Sequence, residues 1–357
     1  MKMLIQFLKV TSLTCLFFVA NSCNDELNLV EPNKAQTPII YGFLSLNDTA
    51  TYLRVERSFI SAKSSAIELA KVADSLTYPA NVEVYLVRVG SNERFLLQKV
   101  DGNTEGYRRD TGAFASTPNY LYKIKNSILA LKSNELWRVD VQRKGETKPL
   151  AQALTQVIGS YEIVSQLAMN TVSSFAVACE TVDGTTTKSD VSARFYAIKV
   201  IFNYEETLGG VTTKKHVDWA FSNNSRRLGA ISAGYDEQRF QKSGNEFYQF
   251  LGQAISATAG AGRLFKTIDI EITAGGQEVV DFLSVGVANL GITGSQTIPI
   301  YTNVYEKNIN PITKIGENPY LGVFGSRNTF SKKGFFLNDG SLEALKTGSF
   351  TRQLNFR

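Results

Sequence analysis

From residue 38 onward the chain consists of short runs in which apolar and polar residues alternate, separated by turns rich in Gly, Asn, Asp and Ser. Residues 51–59, 195–204 and 266–273 are three such runs, and each places apolar side chains on one face of an extended strand. The run at 95–100 follows a Gly-Ser-Asn turn and predicts the second strand of a hairpin. Many short strands divided by turns are typical of sandwiches and barrels. The pattern therefore predicts an all-β or β-rich fold.

A few short helices are predicted among these strands. Ser65 and Ser243 each precede a glutamate by three residues, which is the capping-box spacing that begins a helix. After Ser243 an apolar stripe follows helical periodicity, so this helix is expected to pack against a core. The stripe consists of Phe247, Phe250, Leu251, Ala254 and Ile255. A further helix is predicted over residues 341–347, and residues 350–356 are predicted to close the fold as a terminal strand.

Two domains follow from the distribution of these patterns. The strand signal fades through residues 148–159, and a domain boundary is predicted there. Residues 38–157 then form an N-terminal domain, and residues 158–357 form a second β-rich domain with one or two short helices.

The first 23 residues have the composition of a bacterial lipoprotein signal. Lys2 and Lys9 give a positive start, and residues 10–19 form an apolar segment that is too short to span a bilayer. The small residues 20–22 then precede Cys23, whose thiol can carry a diacylglycerol anchor. The sequence therefore predicts a signal peptide over residues 1–22 and lipidation of Cys23. An ordinary signal peptide that is cut elsewhere remains the alternative.

Residues 23–37 are polar and aperiodic and include a proline, so they are predicted to form a flexible tether. The fourteen residues after Cys23, at about 3.3 Å each, extend to roughly 45 Å. Asp25 and Glu26 resemble the acidic signal that moves Bacteroidota lipoproteins to the outer face of the outer membrane. An acidic pair in a solvated tether is the alternative interpretation.

Charge and composition argue against nucleic-acid binding. Removal of residues 1–22 takes away Lys2 and Lys9, so the formal net charge falls from +5 to +3. The basic pairs are also scattered along the chain and do not form one stripe. These pairs are Arg108-Arg109, Lys214-Lys215, Arg226-Arg227 and Lys332-Lys333.

Few residues are available for chemistry. Cys179 is the one cysteine beyond Cys23, and it is predicted to be a buried small hydrophobe. His216 is the single histidine, which makes imidazole-rich metal sites and histidine-based catalytic relays hard to build. Residues 101–106 lack the acidic spacing of a calcium loop and are predicted to be a turn. No catalytic residue, metal ligand or cofactor is therefore predicted.

The chain resembles an uncharacterised family of Bacteroidota outer-membrane lipoproteins. The likeness is carried by Cys23 with its acidic tether, by residues 38–45 (PIIYGFLS), by residues 52–59 (YLRVERSF) and by residues 318–327 (NPYLGVFGSR). The resemblance implies an N-terminal β-sandwich, which we expect to be immunoglobulin-like, and a mixed, β-rich second domain. It also implies genes that often lie beside those of TonB-dependent receptors. No activity is established for the family, so it supplies no catalytic residue.

Two kinds of candidate site remain. Glycines let a backbone approach a partner closely and an arginine can engage an anion, so Gly322, Phe324, Gly325 and Arg327 are predicted to bind a partner. A strand end with Arg327 paired internally is the alternative. Asp48-Thr49-Ala50 and Asp74-Ser75-Leu76 resemble the sites at which exported Bacteroidota proteins are O-glycosylated, which makes Thr49 and Ser75 candidate acceptors.

Three classes of function are compatible with the sequence. The first is a surface-exposed, non-enzymatic lipoprotein that is held by outer-membrane lipid through Cys23 and binds a ligand or partner, as an accessory of an outer-membrane importer such as a TonB-dependent receptor. The second is a fimbrial or adhesin subunit. The third is a hydrolase that uses only carboxylates, which requires two convergent carboxyl groups in a groove.

Overall fold

A computed structural model describes residues 37–58, 65–163, 174–182, 193–226, 237–291, 301–305 and 320–357. The predicted signal peptide, Cys23, Asp25 and Glu26 lie outside these residues. Among the described residues, no helix has the length and apolar character needed to cross a membrane.

The described residues form sixteen strands and six α-helices. The strands of the first half are β1 (Pro38–Leu44), β2 (Ala50–Arg57), β3 (Val82–Arg88), β4 (Glu93–Leu96), β5 (Gln98–Asp101), β6 (Tyr120–Lys125), β7 (Leu136–Arg143) and β8 (Ala151–Gln156). Those of the second half are β9 (Ser160–Ile163), β10 (Ser174–Val182), β11 (Phe195–Leu208), β12 (Val211–Arg226), β13 (Glu237–Ser243), β14 (Gly262–Gly275), β15 (Val304–Tyr305) and β16 (Leu321–Phe335).

The helices are short, and most of them join or cover strands. They are α1 (Ala66–Ala70), α2 (Ala73–Leu76), α3 (Asn126–Leu129), α4 (Gly244–Ala254), α5 (Gln277–Gly291) and α6 (Asp339–Thr347). Ser65 and Ser243 both make the capping boxes that their spacing predicts, with Glu68 and Glu246 as the reciprocal partners. The helix predicted over 341–347 is confirmed and begins two residues earlier.

The first half of the chain is a β-sandwich. One layer contains the strand order β16-β1-β2-β6-β5, and the facing layer has the order β15-β8-β7-β3-β4. Alternate residues of both layers meet in one hydrophobic core, in which Ile40, Leu53, Val84 and Trp137 are at most 1% exposed. The predicted fold class is confirmed: the chain is β-rich, and its first half is a β-sandwich.

The second half extends the first sandwich layer and adds a second core. Its strands continue the first sandwich layer in the order β12-β11-β14-β16, and a separate sheet has the order β13-β10-β9. The apolar face of β11 packs beneath α4, and Phe202, Phe247, Leu251 and Ile270 are buried there. The core-packing role predicted for the stripe on α4 is thereby confirmed for Phe247, Leu251 and Ile255.

Strand β16 joins the two halves. Its residues Leu321–Ser326 pair in parallel with β1, and its residues from Arg327 onward pair antiparallel with β14. The predicted boundary at residue 157 lies between β8 and β9, but β15 and the beginning of β16 return to the sandwich. The two halves therefore share a continuous eight-stranded sheet, while each keeps its own hydrophobic core.

Two local predictions from the alternating pattern are wrong. The predicted hairpin is present, since β4 pairs antiparallel with β3, but the run at 95–100 is not its single second strand, because β5 crosses to the other layer and pairs with β6. The terminal strand predicted at 350–356 is instead a 3-10 helix at Arg352–Leu354, followed by a single bridge between Phe356 and Arg263. Alternation indicates which side of a segment is apolar, but it does not specify which strand, if any, the segment pairs with.

Candidate functional site

The outer face of strand β1 carries exposed aromatic side chains. Ile40 and Leu44 point into the sandwich core, so the alternating residues Tyr41 and Phe43 point outward. Tyr41 is 41% exposed and Phe43 is 38% exposed, although both lie in a strand that is paired on both sides. Because the flanking strands fix the backbone, these rings are presented from a rigid support.

Residues 102–119, between β5 and β6, lie over the same face of the sheet. The Tyr107 ring packs against the Tyr52 ring of β2 in a tilted arrangement, with ring centroids 4.6 Å apart. The Arg54 guanidinium donates to the Asn119 side-chain oxygen at 2.7 Å, and the Asn119 amide donates to the carbonyl of Tyr107 at 2.7 Å. Asn119 is 1% exposed, so the crossing is fixed to the sheet by buried hydrogen bonds.

Charged groups around the rings are paired with one another. Glu105 accepts hydrogen bonds from Lys123 at 2.5 Å and from the Tyr52 hydroxyl at 2.9 Å. The hydrogen bond from Lys123 is the main cause that lowers the pKa of Glu105. Burial is the main cause that raises the pKa of Tyr41, and the nearby charge of Glu56 adds to it. The Tyr41 phenol therefore stays neutral at physiological pH and presents a hydrogen-bonding hydroxyl beside apolar rings.

The predicted partner-binding segment borders this face and contributes unequally to it. Gly325 lies beneath the Phe43 ring, where a Cβ atom would come within 3.0 Å of the ring carbons. Phe324 is fully buried in the sandwich core, and Gly322 faces the backbone of β1. Arg327 is exposed and pairs with Asp48 at 3.1 Å, which matches the internally paired alternative for that side chain.

We call the exposed rings of Tyr41, Phe43 and Tyr107, together with the half-buried Tyr52, the aromatic surface. Aromatic side chains are enriched where proteins bind partners because they bury a large area at a small cost in side-chain entropy. Tyr41 and Phe43 are not among the site residues that the sequence predicts. A signal was present, since the run 38–44 is apolar at both outward and inward positions, whereas a strand with one solvated face alternates with polar residues.

Other residues singled out from the sequence lie apart from the aromatic surface. Thr49 is exposed in the turn after β1, and Ser75 is half-buried in α2. His216 is exposed on β12, and its Nε2 atom lies 3.8 Å from Oδ1 of Asp218. Cys179 lies in β10. The Asp101 carboxylate accepts hydrogen bonds from the backbone N–H groups of Asn103 and Asn119, which is the turn that the sequence predicts.

Acidic groups do not gather into a metal site in the described part of the chain, where no group of three His, Cys, Asp or Glu residues could hold an ion. One carboxyl group in this part of the chain, that of Glu278 at the beginning of α5, has a raised pKa. Burial raises its pKa, and the charge of Asp281 adds to the effect. This pair lies on one helix, and Asp281 accepts a hydrogen bond from Gln277 at 2.7 Å.

The raised pKa of Glu278 predicts a specific pH dependence of stability. A carboxyl group whose pKa is higher in the folded state than its ordinary value of 4.5 stabilises the fold below pH 4.5, and this contribution is lost as the pH rises through the folded value. Glu278→Gln should therefore be more stable than wild type at neutral pH and gain nothing at acidic pH. Urea unfolding at both pH values measures this, with the exposed Glu343→Gln as a control that should change stability little.

Comparison with known proteins gives no family. No family model matches the chain, and no curated protein matches it. Among solved structures, the chain is similar to the chicken CNTN1 FN1–FN3 domains, with 10% identity, 68% of this chain covered and a TM-score of 0.20. It spans 61% of the length of that chain. It is also similar to the chicken interferon gamma receptor alpha chain, with 6% identity, 67% of this chain and 88% of that chain covered, and a TM-score of 0.14. Similarity at this level carries no argument about function.

Proposed function

We propose that this protein is a non-enzymatic lipoprotein, held at the outer face of the outer membrane by lipid on Cys23, that binds a membrane protein partner through the aromatic surface. The observation that carries the proposal is the exposure of Tyr41 and Phe43 on a strand that is paired on both sides, with the exposed Tyr107 packed against Tyr52 on the same face. Rigid aromatic side chains lose little entropy when a partner covers them, so they suit a binding role.

The surroundings of the rings support an interface. Arg54 and Glu56 lie beside the rings, and the Glu56 carboxylate accepts hydrogen bonds from Arg54 at 3.1 Å and from Arg109 at 2.8 Å. A partner that covers the rings therefore meets a rim whose carboxylate is already paired with cations. An apolar centre with a paired polar rim is the usual anatomy of a protein interface.

The position of the surface favours a partner in the membrane. Tyr41 and Phe43 follow Pro38 by three and five residues, so they lie roughly 10 and 17 Å along β1 from the point where the predicted tether enters. Because the tether reaches at most roughly 45 Å, the aromatic surface stays within reach of a protein in the same membrane. A β-barrel importer such as a TonB-dependent receptor fits this position.

The test is co-purification from detergent-solubilised membranes. We expect wild type to enrich a β-barrel receptor over an unrelated lipoprotein, and the double variant Phe43→Ala with Tyr107→Ala to lose at least about tenfold of that enrichment. Phe336→Ala is the matched control, because Phe336 is 67% exposed and lies outside the aromatic surface. Equal enrichment by the double variant and wild type would reject the role of the aromatic surface.

The anchor is tested separately by intact-mass measurement of the native protein and by membrane fractionation. We expect acyl chains on Cys23. We expect a high-salt wash to remove Cys23→Ala from the membranes, whereas wild type stays bound until detergent is added. The same mass measurement tests O-glycosylation of Thr49 and Ser75, since mass from peptide and lipid alone rejects it. An unmodified Cys23 or a cytosolic protein overturns the anchored function.

The fimbrial or adhesin alternative requires exchange of a first strand after proteolysis. Strand β1 is paired on both sides, and its core residues Ile40 and Leu44 are fully buried, so exchange would break two ladders of hydrogen bonds at once. Arg54 and Arg57 both lie within β2. A protein that stays monomeric after limited trypsin treatment would count against the alternative, and ordered polymers would support it.

A further inference from the structure

We propose that the end of the sandwich at which the tether enters, here called the tether end, docks on an anionic lipid surface. The inference rests on the proposed anchor at Cys23 and adds a second membrane contact made by the folded body. The tether end consists of the last residues of β2, of α1 and α2, and of two neighbouring segments, residues 107–115 and 143–148.

Hydrogen bonds place α1 and α2 beside the point where the chain arrives from Cys23. Thr37 accepts a backbone hydrogen bond from Ser58 at 2.8 Å, and Pro38 pairs with Arg57. The Arg57 guanidinium donates to the carbonyl of Asp74 in α2 at 3.1 Å. The helices and the beginning of β1 therefore share one end of the sandwich.

The far part of the 102–119 crossing reaches the same end. The backbone N–H of Ala115 donates to the carbonyl of Ala70 in α1 at 2.7 Å. Arg109 donates to Glu56 at 2.8 Å, and its guanidinium lies 5.0 Å from the centre of the Phe114 ring. Phe114 is thus held close to the helices, with its ring partly open to solvent.

Large apolar side chains are exposed at the tether end. Ile67 in α1 is 68% exposed, Val72 between the helices is 51% exposed, and Phe114 is 47% exposed. A helix of five residues buries little of its own surface, and the buried side of α1 is occupied by Ala70. Apolar side chains presented beside a lipid anchor are suited to the boundary between headgroups and acyl chains.

The charge of the tether end is complementary to lipid phosphate. Lys144 donates a backbone hydrogen bond to Asn81, and Val82 pairs with Arg143, which places the turn at 143–148 next to the beginning of β3. Seven basic and five acidic side chains lie in the segments that form this end. The basic ones are Arg57, Lys71, Arg108, Arg109, Arg143, Lys144 and Lys148, and the acidic ones are Glu56, Glu68, Asp74, Asp110 and Glu146. A positive excess beside exposed apolar groups favours anionic membranes.

The experiment uses the mature chain, residues 23–357, with Cys23→Ser, so that the anchor contributes nothing. We expect this protein to co-sediment with vesicles of phosphatidylcholine and phosphatidylglycerol, and to bind more weakly to vesicles of phosphatidylcholine alone. Ile67→Asp combined with Phe114→Ala should weaken binding by roughly tenfold or more, because each side chain removed takes several buried CH2 groups out of the lipid. Added salt should weaken binding to the anionic vesicles.

Ile128→Asp is the matched control. Ile128 is 57% exposed in α3, at the opposite end of the sandwich, where Asn126 hydrogen-bonds to the carbonyls of Ser45 and Asp48 beyond the end of β1. Vesicle binding by the Ile128→Asp variant should equal that of the Cys23→Ser protein, and the melting temperatures of all variants should agree. Failure of the Cys23→Ser protein to bind either vesicle, or an equal loss in both variants, overturns the proposal.

The two proposals fail in distinguishable ways. Lipid found on native Cys23 together with no vesicle binding by the Cys23→Ser protein rejects the docking surface and leaves the anchor standing. Vesicle binding by the folded body together with an unmodified native Cys23 rejects the anchored function and leaves the docking surface standing.

Discussion

Gly322→Ala is expected to destabilise the protein by more than about 4 kcal/mol, which is beyond the range of ordinary substitutions. Gly322 has a φ of +116°, a backbone conformation that side chains with a Cβ rarely adopt. It also pairs in parallel with Ile40, and a Cβ built on it would lie 1.8 Å from the Ile40 carbonyl oxygen. The clash is with backbone in a central strand, so relief requires β16 and β1 to separate.

Gly334→Ala provides the control for backbone conformation alone. Gly334 lies in the same strand with a φ of +82°, and a Cβ added to it would have no atom within 4 Å. We expect a cost of about 1–2 kcal/mol for this variant. Urea unfolding of both variants measures the difference, and equal destabilisation would show that close packing against Ile40 contributes nothing.

Because β16 belongs to both halves, the Gly322→Ala effect should appear in both hydrophobic cores. The two tryptophans allow this to be observed, since Trp137 is buried in the sandwich core and Trp219 in the second core. In the Gly322→Ala protein, urea unfolding is followed by the fluorescence of the one tryptophan that remains after Trp137→Phe or after Trp219→Phe. The two unfolding transitions should coincide. A transition at lower urea in the sandwich core alone would mean that the shared strand does not couple the halves.

Local pattern was sufficient to predict the elements that depend on neighbouring residues. The alternation at 195–204 gives the buried face of β11, on which Tyr196, Ile198, Val200 and Phe202 are at most 1% exposed. The capping boxes at Ser65 and Ser243 fix the beginnings of α1 and α4, because both partners of each box lie within one turn. The β-rich class follows from the same information.

Pairing between distant segments was not available from pattern. The parallel ladder between β1 and β16 joins residues about 280 positions apart, and nothing in either segment specifies the other. The glycine at 322 illustrates this, because the sequence predicts a close backbone approach there and the approach in the structure is to Ile40 of the same chain. The aromatic surface likewise depends on how residues 102–119 cross the sheet, which rests on the hydrogen bonds of Asn119.

Arg263→Met is expected to cost about 3–5 kcal/mol, because it leaves the buried Glu206 carboxylate with the partly exposed Lys215 as its remaining cationic partner. Arg263 is 2% exposed, and its guanidinium donates to the Glu206 carboxylate at 2.6 and 2.9 Å. It also donates to the carbonyls of Leu354 and Ser256 at 2.6 and 2.7 Å. The substitution therefore also removes donors from backbone that holds the end of the chain, where Phe356 packs into the second core.

A double variant and an exposed pair separate the causes of this loss. Glu206→Met added to Arg263→Met should recover a large part of the stability, since no buried carboxylate that depends on Lys215 alone then remains. Arg327→Met, which removes an exposed partner of Asp48, should change stability by at most about 1 kcal/mol.

The Lys215 hydrogen bond first and Arg263 second lower the pKa of Glu206, so wild type should lose stability as the pH falls below the ordinary value of 4.5. Arg263→Met should lose less on acidification, because only the Lys215 hydrogen bond then lowers the pKa of Glu206. A loss on acidification equal to that of wild type would show that the Arg263–Glu206 pair does not control stability.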